Sequence, residues 1–124
     1  MKIRRRIIVF DAADLDAESA FWAAMLGGAV VADADWHSVV VDGEWVLGVQ
    51  HAPNHVPPEW PDGVQQQMHL DLWVDDLDAA HDRATSLGAR LLKPAEDRDA
   101  DEYFQVYADP AGHPFCLCWA AKMT

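Results

Sequence analysis

Asp14-Leu15-Asp16-Ala17 returns 62 residues later as Asp76-Leu77-Asp78-Ala79, and such a recurrence in a chain of 124 residues marks a duplicated structural unit. An apolar strand-like run precedes each copy, IIVFDAA at 7–13 and LDLWVDD at 70–76. A helical run follows each and closes on a Leu-Gly pair, Leu26-Gly27 or Leu87-Gly88. The spacing of the second landmark is 61, so the later helix is expected to be one residue shorter. Asp14 and Asp76 read as N-caps, because a short carboxylate accepts from the free N–H groups of a first turn, and the next acid suits the helix dipole. Leu15, Phe21, Trp22, Met25 and Leu26 form the expected buried stripe of the first helix. Leu77, Ala80, Ala84 and Leu87 form that of the second, and glycine stops both.

Three strand-like runs follow each helix. In the first half they are GAVVADA, WHSVVVD and EWVLGVQ, the last two joined by the hairpin signal Asp42-Gly43. In the second half they are ARLLKP, YFQVYAD and HPFCLCW, with the turn Asp109-Pro110-Ala111-Gly112 before the last. The stretch 52–67 is too proline-rich for regular structure. The expected organisation is one domain over 1–124, of α+β class, built from two tandem βαβββ modules at about 3–51 and 67–120 with a linker at about 52–66.

Composition narrows the function classes. The chain carries 21 acidic and 9 basic side chains, a formal charge of −12. Four of the positives, Lys2, Arg4, Arg5 and Arg6, crowd into the first six residues. A surface of that sign repels phosphate backbones, so neither nucleic acid nor an anionic membrane is an expected partner, whereas cationic ligands are attracted. The apolar run 7–10 ends at Asp11, too short for a secretory signal, and no stretch is long enough to span a bilayer. Cys116 and Cys118 on one strand face make a poor disulfide, and the expected compartment is a reducing cytoplasm.

These fragments together resemble the glyoxalase and bleomycin-resistance proteins of the vicinal oxygen chelate superfamily. The residues that carry the resemblance are 69–80, HLDLWVDDLDAA, then Leu87-Gly88-Ala89 and 109–116, DPAGHPFC. In the first half Asp14-Leu15 and Phe21-Trp22 match, and the Pro57-Pro58-Glu59-Trp60-Pro61 loop is similar to a glyoxalase-like subgroup. The resemblance implies two curved mixed sheets around a shared cleft, helices on the outer faces, and a homodimer.

It also implies a divalent metal held by one residue from each of four central strands, typically His, Glu or Gln. Carried over by position, these fall on Ile7, on Gly48 or Gln50, on His69 and on Cys116. Ile7 and Gly48 offer no ligating atom, and Gln50 is a weak neutral donor. Because catalytic zinc keeps three protein ligands and hard ions want several oxygens, no metal is the expected state. The alternative is Zn, Ni, Fe or Mn at His69, Cys116 and Gln50.

Strand alternation places His69, Asp71 and Trp73 on one face and Leu70, Leu72 and Val74 on the other. The candidate acid–base pair is His69 with Asp71. The candidate ligand-binding residues are Trp73, Trp60, Gln50, Cys116 and Ile7, the two indoles being suited to stack on a planar molecule. Ile8, Phe10, Leu47, Val49, Phe115 and Leu117 are expected beneath the helices, with Trp22 and Trp119 in the core. His37, His51, His55, His81 and His113 are expected at the surface or in turns. Two functions follow. In the first the protein sequesters a small organic molecule without chemistry. In the second it is a lyase, isomerase or dioxygenase-type enzyme moving a proton next to a carbonyl, through His69 and Asp71 or a metal recruited at His69.

Overall fold

The computed structural model describes residues 2–59, 61–63 and 68–122. It divides into two compact units, Met1–Val56 and Pro57–Thr124, each holding one βαβββ module. In the first, β1 (Ile8–Ala12), α1 (Leu15–Leu26), β2 (Ala29–Ala32), β3 (Trp36–Val41) and β4 (Glu44–His51) form a sheet of order β1-β4-β3-β2. In the second, β5 (Leu70–Trp73), α2 (Leu77–Ser86), β6 (Arg90–Lys93), β7 (Glu102–Ala108) and β8 (Pro114–Ala120) repeat that order as β5-β8-β7-β6. Both sheets are mixed: the first and last strands of each module pair in parallel and the other neighbours antiparallel.

The duplicated tetrapeptide is realised in the same way twice. Asp14 Oδ1 accepts from Ala17 N at 3.0 Å and Asp76 Oδ1 from Ala79 N at 3.0 Å, each Asp having an extended backbone that turns the chain into its helix. The ends match as well. Gly28 N donates to Ala23 O at 2.8 Å and Ala89 N to Ala84 O at 3.0 Å, while Gly27 and Gly88 take positive φ. Asp42 and Gly43 both have positive φ, 50° and 80°, the geometry of the tight hairpin their sequence announces.

Each helix covers one face of its own sheet. On the first, Trp22 packs edge-on against Phe10 and Phe21, with ring centroids 5.3 and 5.2 Å away, and Val39, Leu47 and Val49 are buried in the same core. On the second, Leu77 and Ala84 of α2 are buried, as are Tyr107, Phe115 and Leu117 of the sheet. Tyr107 stacks on Phe115 at 5.5 Å.

Several expectations are corrected. Ile7 and His69 stand one residue before β1 and β5. The β5 ladder begins at Leu70 opposite Phe115, and the preceding residue on β8 is Pro114, which has no N–H to offer it. Ile8 is 46% exposed at the start of its strand. Trp119 is half-buried near the end of β8, stacked on Tyr103 at 4.9 Å and donating Nε1 to Asp75 O at 3.1 Å.

Two histidines lie inward instead of at the surface. His37 is buried with Nδ1 2.7 Å from Ser19 Oγ, and half-buried His81 has Nδ1 2.7 Å from the Tyr107 hydroxyl. The α1 stripe accordingly includes buried Ser19 and Glu18, while Leu15, Met25 and Leu26 are only half-buried.

The last turn of the second module shows why its glycine is needed. Buried Asp109 accepts from Ala111 N at 3.0 Å and His113 N at 2.8 Å through Oδ1. Gly112 closes the turn at φ +89°, and a Cβ there would be driven into Pro57. Gly112→Ala is therefore expected to cost about 1–3 kcal/mol through backbone strain, with the clash in addition. Gly43→Ala, also at positive φ but facing open space, is expected to cost less. Thermal melts of the two variants check the order.

Candidate functional site

In the second unit, β5 and β8 run in parallel with Asp71 opposite Cys116 and Trp73 opposite Cys118. Antiparallel β7 adds Phe104 opposite Cys118 and Val106 opposite Cys116. Alternation then turns Asp71, Trp73, Glu102, Phe104, Val106, Cys116 and Cys118 to the sheet face away from α2. A hollow of about 210 Å³ opens there, lined by His69, Asp71, Trp73, Glu102, Tyr103, Phe104, Cys116 and Cys118. Its floor is apolar, since Val106, Cys116 and Cys118 form a buried cluster that Leu92 packs against. Its rim is open: Trp73 is 52% exposed and Phe104 49%.

The polar groups of this hollow converge. His69 Nε2 lies 3.1 Å from Asp71 Oδ1, and one ring nitrogen of His69, one carboxylate oxygen of Asp71 and Cys116 Sγ all lie within 4.8 Å of one another. Burial pushes the Cys116 thiol up to about 12, helped by the Asp71 charge and by the hydrogen bond that the thiol gives Asp71. The Cys118 thiol rises to about 11, again from burial first, then from the charges of Asp71 and Glu102. Both cysteines are free, and at neutral pH both are neutral thiols, so neither is an activated nucleophile.

Four of the sequence-derived candidates, His69, Asp71, Trp73 and Cys116, meet in this one hollow. Ile7 and Gln50 belong to the first unit, where Ile7 is half-buried and Gln50 is exposed opposite Asp11. Trp60 lies outside the described residues. Glu102, Tyr103 and Phe104 are additions. Their strand was read correctly, but which of its faces meets β5 depends on the β7–β8 register, which the sequence does not display.

The corresponding face of the first unit is filled by its own side chains. Trp36 lies against Gly48, where any Cβ would run into the indole. Trp36 Nε1 donates to Ser38 Oγ at 3.0 Å, and Trp45 packs edge-on at a centroid distance of 6.0 Å. Arg5 covers Trp45 at 5.1 Å. Gly48 is thus a packing position for an aromatic side chain.

A family model for a glyoxalase-like domain matches residues 7–118, nearly the whole described chain. The protein belongs to the glyoxalase-like domain family. This places it in the vicinal oxygen chelate superfamily, and solved structures agree on the fold. A fosfomycin resistance protein from Listeria monocytogenes is similar at a TM-score of 0.72 and 13% identity, over 100% of this chain and 96% of that one. One from Mesorhizobium loti gives 0.68 at 16% identity, over 97% and 94%. A glyoxalase-related enzyme from Fulvimarina pelagi gives 0.67 at 22% identity, over 96% and 90%. No curated protein matches the sequence. At these identities the likeness concerns the fold, which hosts many different activities.

The four positions that the family resemblance assigns to a metal do not supply its ligand set here. Ile7 is aliphatic, Gly48 lies under Trp36, its alternative Gln50 is an exposed neutral donor, and Cys116 brings a thiol where a carboxylate is usual.

Proposed function

We propose that this glyoxalase-like protein binds a small organic molecule on the sheet face of its second module that lies away from α2, without the metal set of its family. The observation that carries this reading is the hollow itself, an apolar floor with two exposed aromatic rings and a His69–Asp71 pair 3.1 Å apart. Few convergent polar groups on an apolar wall is the usual composition of a small-molecule site. Its volume of about 210 Å³ is below the roughly 300–1,000 Å³ of drug-sized pockets, so the ligand, or the part of it held here, is small. A cytoplasmic homodimer is the setting this reading assumes.

The test is a melting-temperature screen against small organic molecules. At a hundredfold excess over Kd a true ligand adds about 2.7 kcal/mol, a rise on the order of 10 °C. Trp73→Ala is expected to remove most of that rise. A hit whose shift persists undiminished in Trp73→Ala binds elsewhere and contradicts the assignment. His69→Ala separates the two functions. Simple sequestration survives it, whereas proton transfer by His69 and Asp71 requires the imidazole.

The clustering of His69, Asp71 and Cys116 within 4.8 Å favours a second reading, a thiophilic ion such as zinc held by one module with Asp71 in place of Gln50. Three protein ligands suffice for such an ion, and binding would strip the Cys116 proton. Titration with Co(II) checks it: a thiolate-to-metal charge-transfer band lost in Cys116→Ser is expected on this reading, and a spectrum without that band rejects it.

A further inference from the structure

The charges around the hollow point to a class of ligand. Glu102 and Asp71 are the carboxylates among its described lining residues, and no Lys or Arg is among these. Asp71 is 45% exposed at the side chain while facing His69. Both carboxylates lie on the sheet face that carries Cys116 and Cys118. A neighbouring hollow of about 450 Å³ shares Glu102, Tyr103 and Phe104 and adds Glu96, Asp97 and Lys93. The cation among its described lining residues is already engaged, with Lys93 Nζ 3.1 Å from Glu96 Oε1. Among the described lining residues of the two hollows, four carboxylates stand against one paired ammonium and the His69 imidazole, a negative balance.

The aromatic rings agree with that sign. Phe104 and Trp73 present about half of their surface to solvent, and a π-face attracts positive charge. Phe104 already does so within the molecule, with Lys93 Nζ 5.9 Å from its ring centroid. Tyr103 is engaged elsewhere, by Trp119 at 4.9 Å and Arg98 at 5.0 Å, so the rings left to a ligand are Trp73 and, beside Lys93, Phe104.

From this we infer that the ligand of the second-module hollow is an organic cation, an ammonium or similarly charged amine, held between the Trp73 and Phe104 rings and the Asp71 and Glu102 carboxylates. The inference rests on the reading of the hollow as a small-molecule site and adds the charge of its occupant. Exposed cation–π contacts and solvent-facing carboxylates are each modest, and together they favour a cation over a neutral molecule of like shape by about tenfold. Because the carboxylates face water, that preference shrinks as salt is raised.

The experiment measures calorimetric affinities of the intact protein for benzyltrimethylammonium, benzyl alcohol and benzoate at low and high salt. Glu102→Gln and Trp73→Ala are run beside the parent, both at exposed positions where the fold tolerates change, with circular dichroism to confirm folding. The expected result is binding of the ammonium about tenfold tighter than the alcohol, weaker in salt, with Glu102→Gln lowering only the ammonium affinity and Trp73→Ala lowering both. Equal affinity for ammonium and alcohol, or tighter binding of benzoate, overturns the cation inference and leaves the binding site in place. If none of the three binds and the melting-temperature screen is also silent, the hollow is not a binding site and both readings fall.

Discussion

Trp22→Ala is expected to lower the unfolding free energy by about 3–5 kcal/mol, the range for deleting a large buried aromatic. Trp22 is 1% exposed and is held edge-on by Phe10 and Phe21, so truncation removes transfer free energy and two ring–ring contacts together. The neighbours cannot collapse into the gap, because Phe10 belongs to a strand fixed by its ladder with β4. Since domains of this size are stable by about 5–15 kcal/mol, the variant retains only part of its margin. Urea denaturation followed by far-ultraviolet circular dichroism measures the loss. A change below about 1 kcal/mol would show that α1 does not seal the first core as described.

Cys116 is expected to react with iodoacetamide about a thousandfold more slowly than an unperturbed cysteine at pH 8, because a thiol pushed up to about 12 from an ordinary 9.0 is thiolate in only a trace of molecules. Burial slows it further. The same shift couples to stability with a definite sign. The folded state holds its proton more tightly than the unfolded state, so the contribution is complete below pH 9 and is lost as the pH climbs toward about 12. Cys118, raised to about 11, acts in the same direction over the lower part of that window. Wild-type protein should thus lose stability steeply above pH 9. Cys116→Ala should lose less over the same interval, which paired denaturation curves at pH 8 and pH 10.5 would reveal. Alkylation of Cys116 at an ordinary cysteine rate in folded protein at pH 8 contradicts the buried, Asp71-bonded thiol.

The duplicated architecture was legible because its signals are local. Asp14 and Asp76 cap helices through bonds spanning three residues, Gly27 ends a helix one residue past it, and Asp42-Gly43 makes its turn from its own dihedral preferences. Each of these is a property of a few adjacent residues. The alternation of β5 likewise placed Asp71 and Trp73 together, and the family resemblance, carried over by position, pointed to His69.

The misreadings concern partners distant in the chain. His37 is inward because Ser19, eighteen residues away, presents a hydroxyl to it, and His81 because Tyr107 does so across twenty-six. Neither pair has a spacing that a pattern could reveal. Trp36 and Trp45 acquire a role once the β3–β4 ladder sets Trp36 opposite Gln50 and Trp45 opposite Val40, bringing the Trp36 indole over Gly48.

What the residues alone determined is the paired βαβββ plan, the helix ends, the tight turns and the acidic character, all consequences of dihedral preference, capping and charge that act without knowledge of the rest of the chain. What only the folded structure decided is which side chains share the hollow. Strand register brings Glu102 and Phe104 to face Asp71, Trp73 and Cys116, and burial among them keeps both thiols protonated. Register and desolvation are sums over contacts made far along the chain, and that is why the site emerged from packing while the fold was already visible in the repeat.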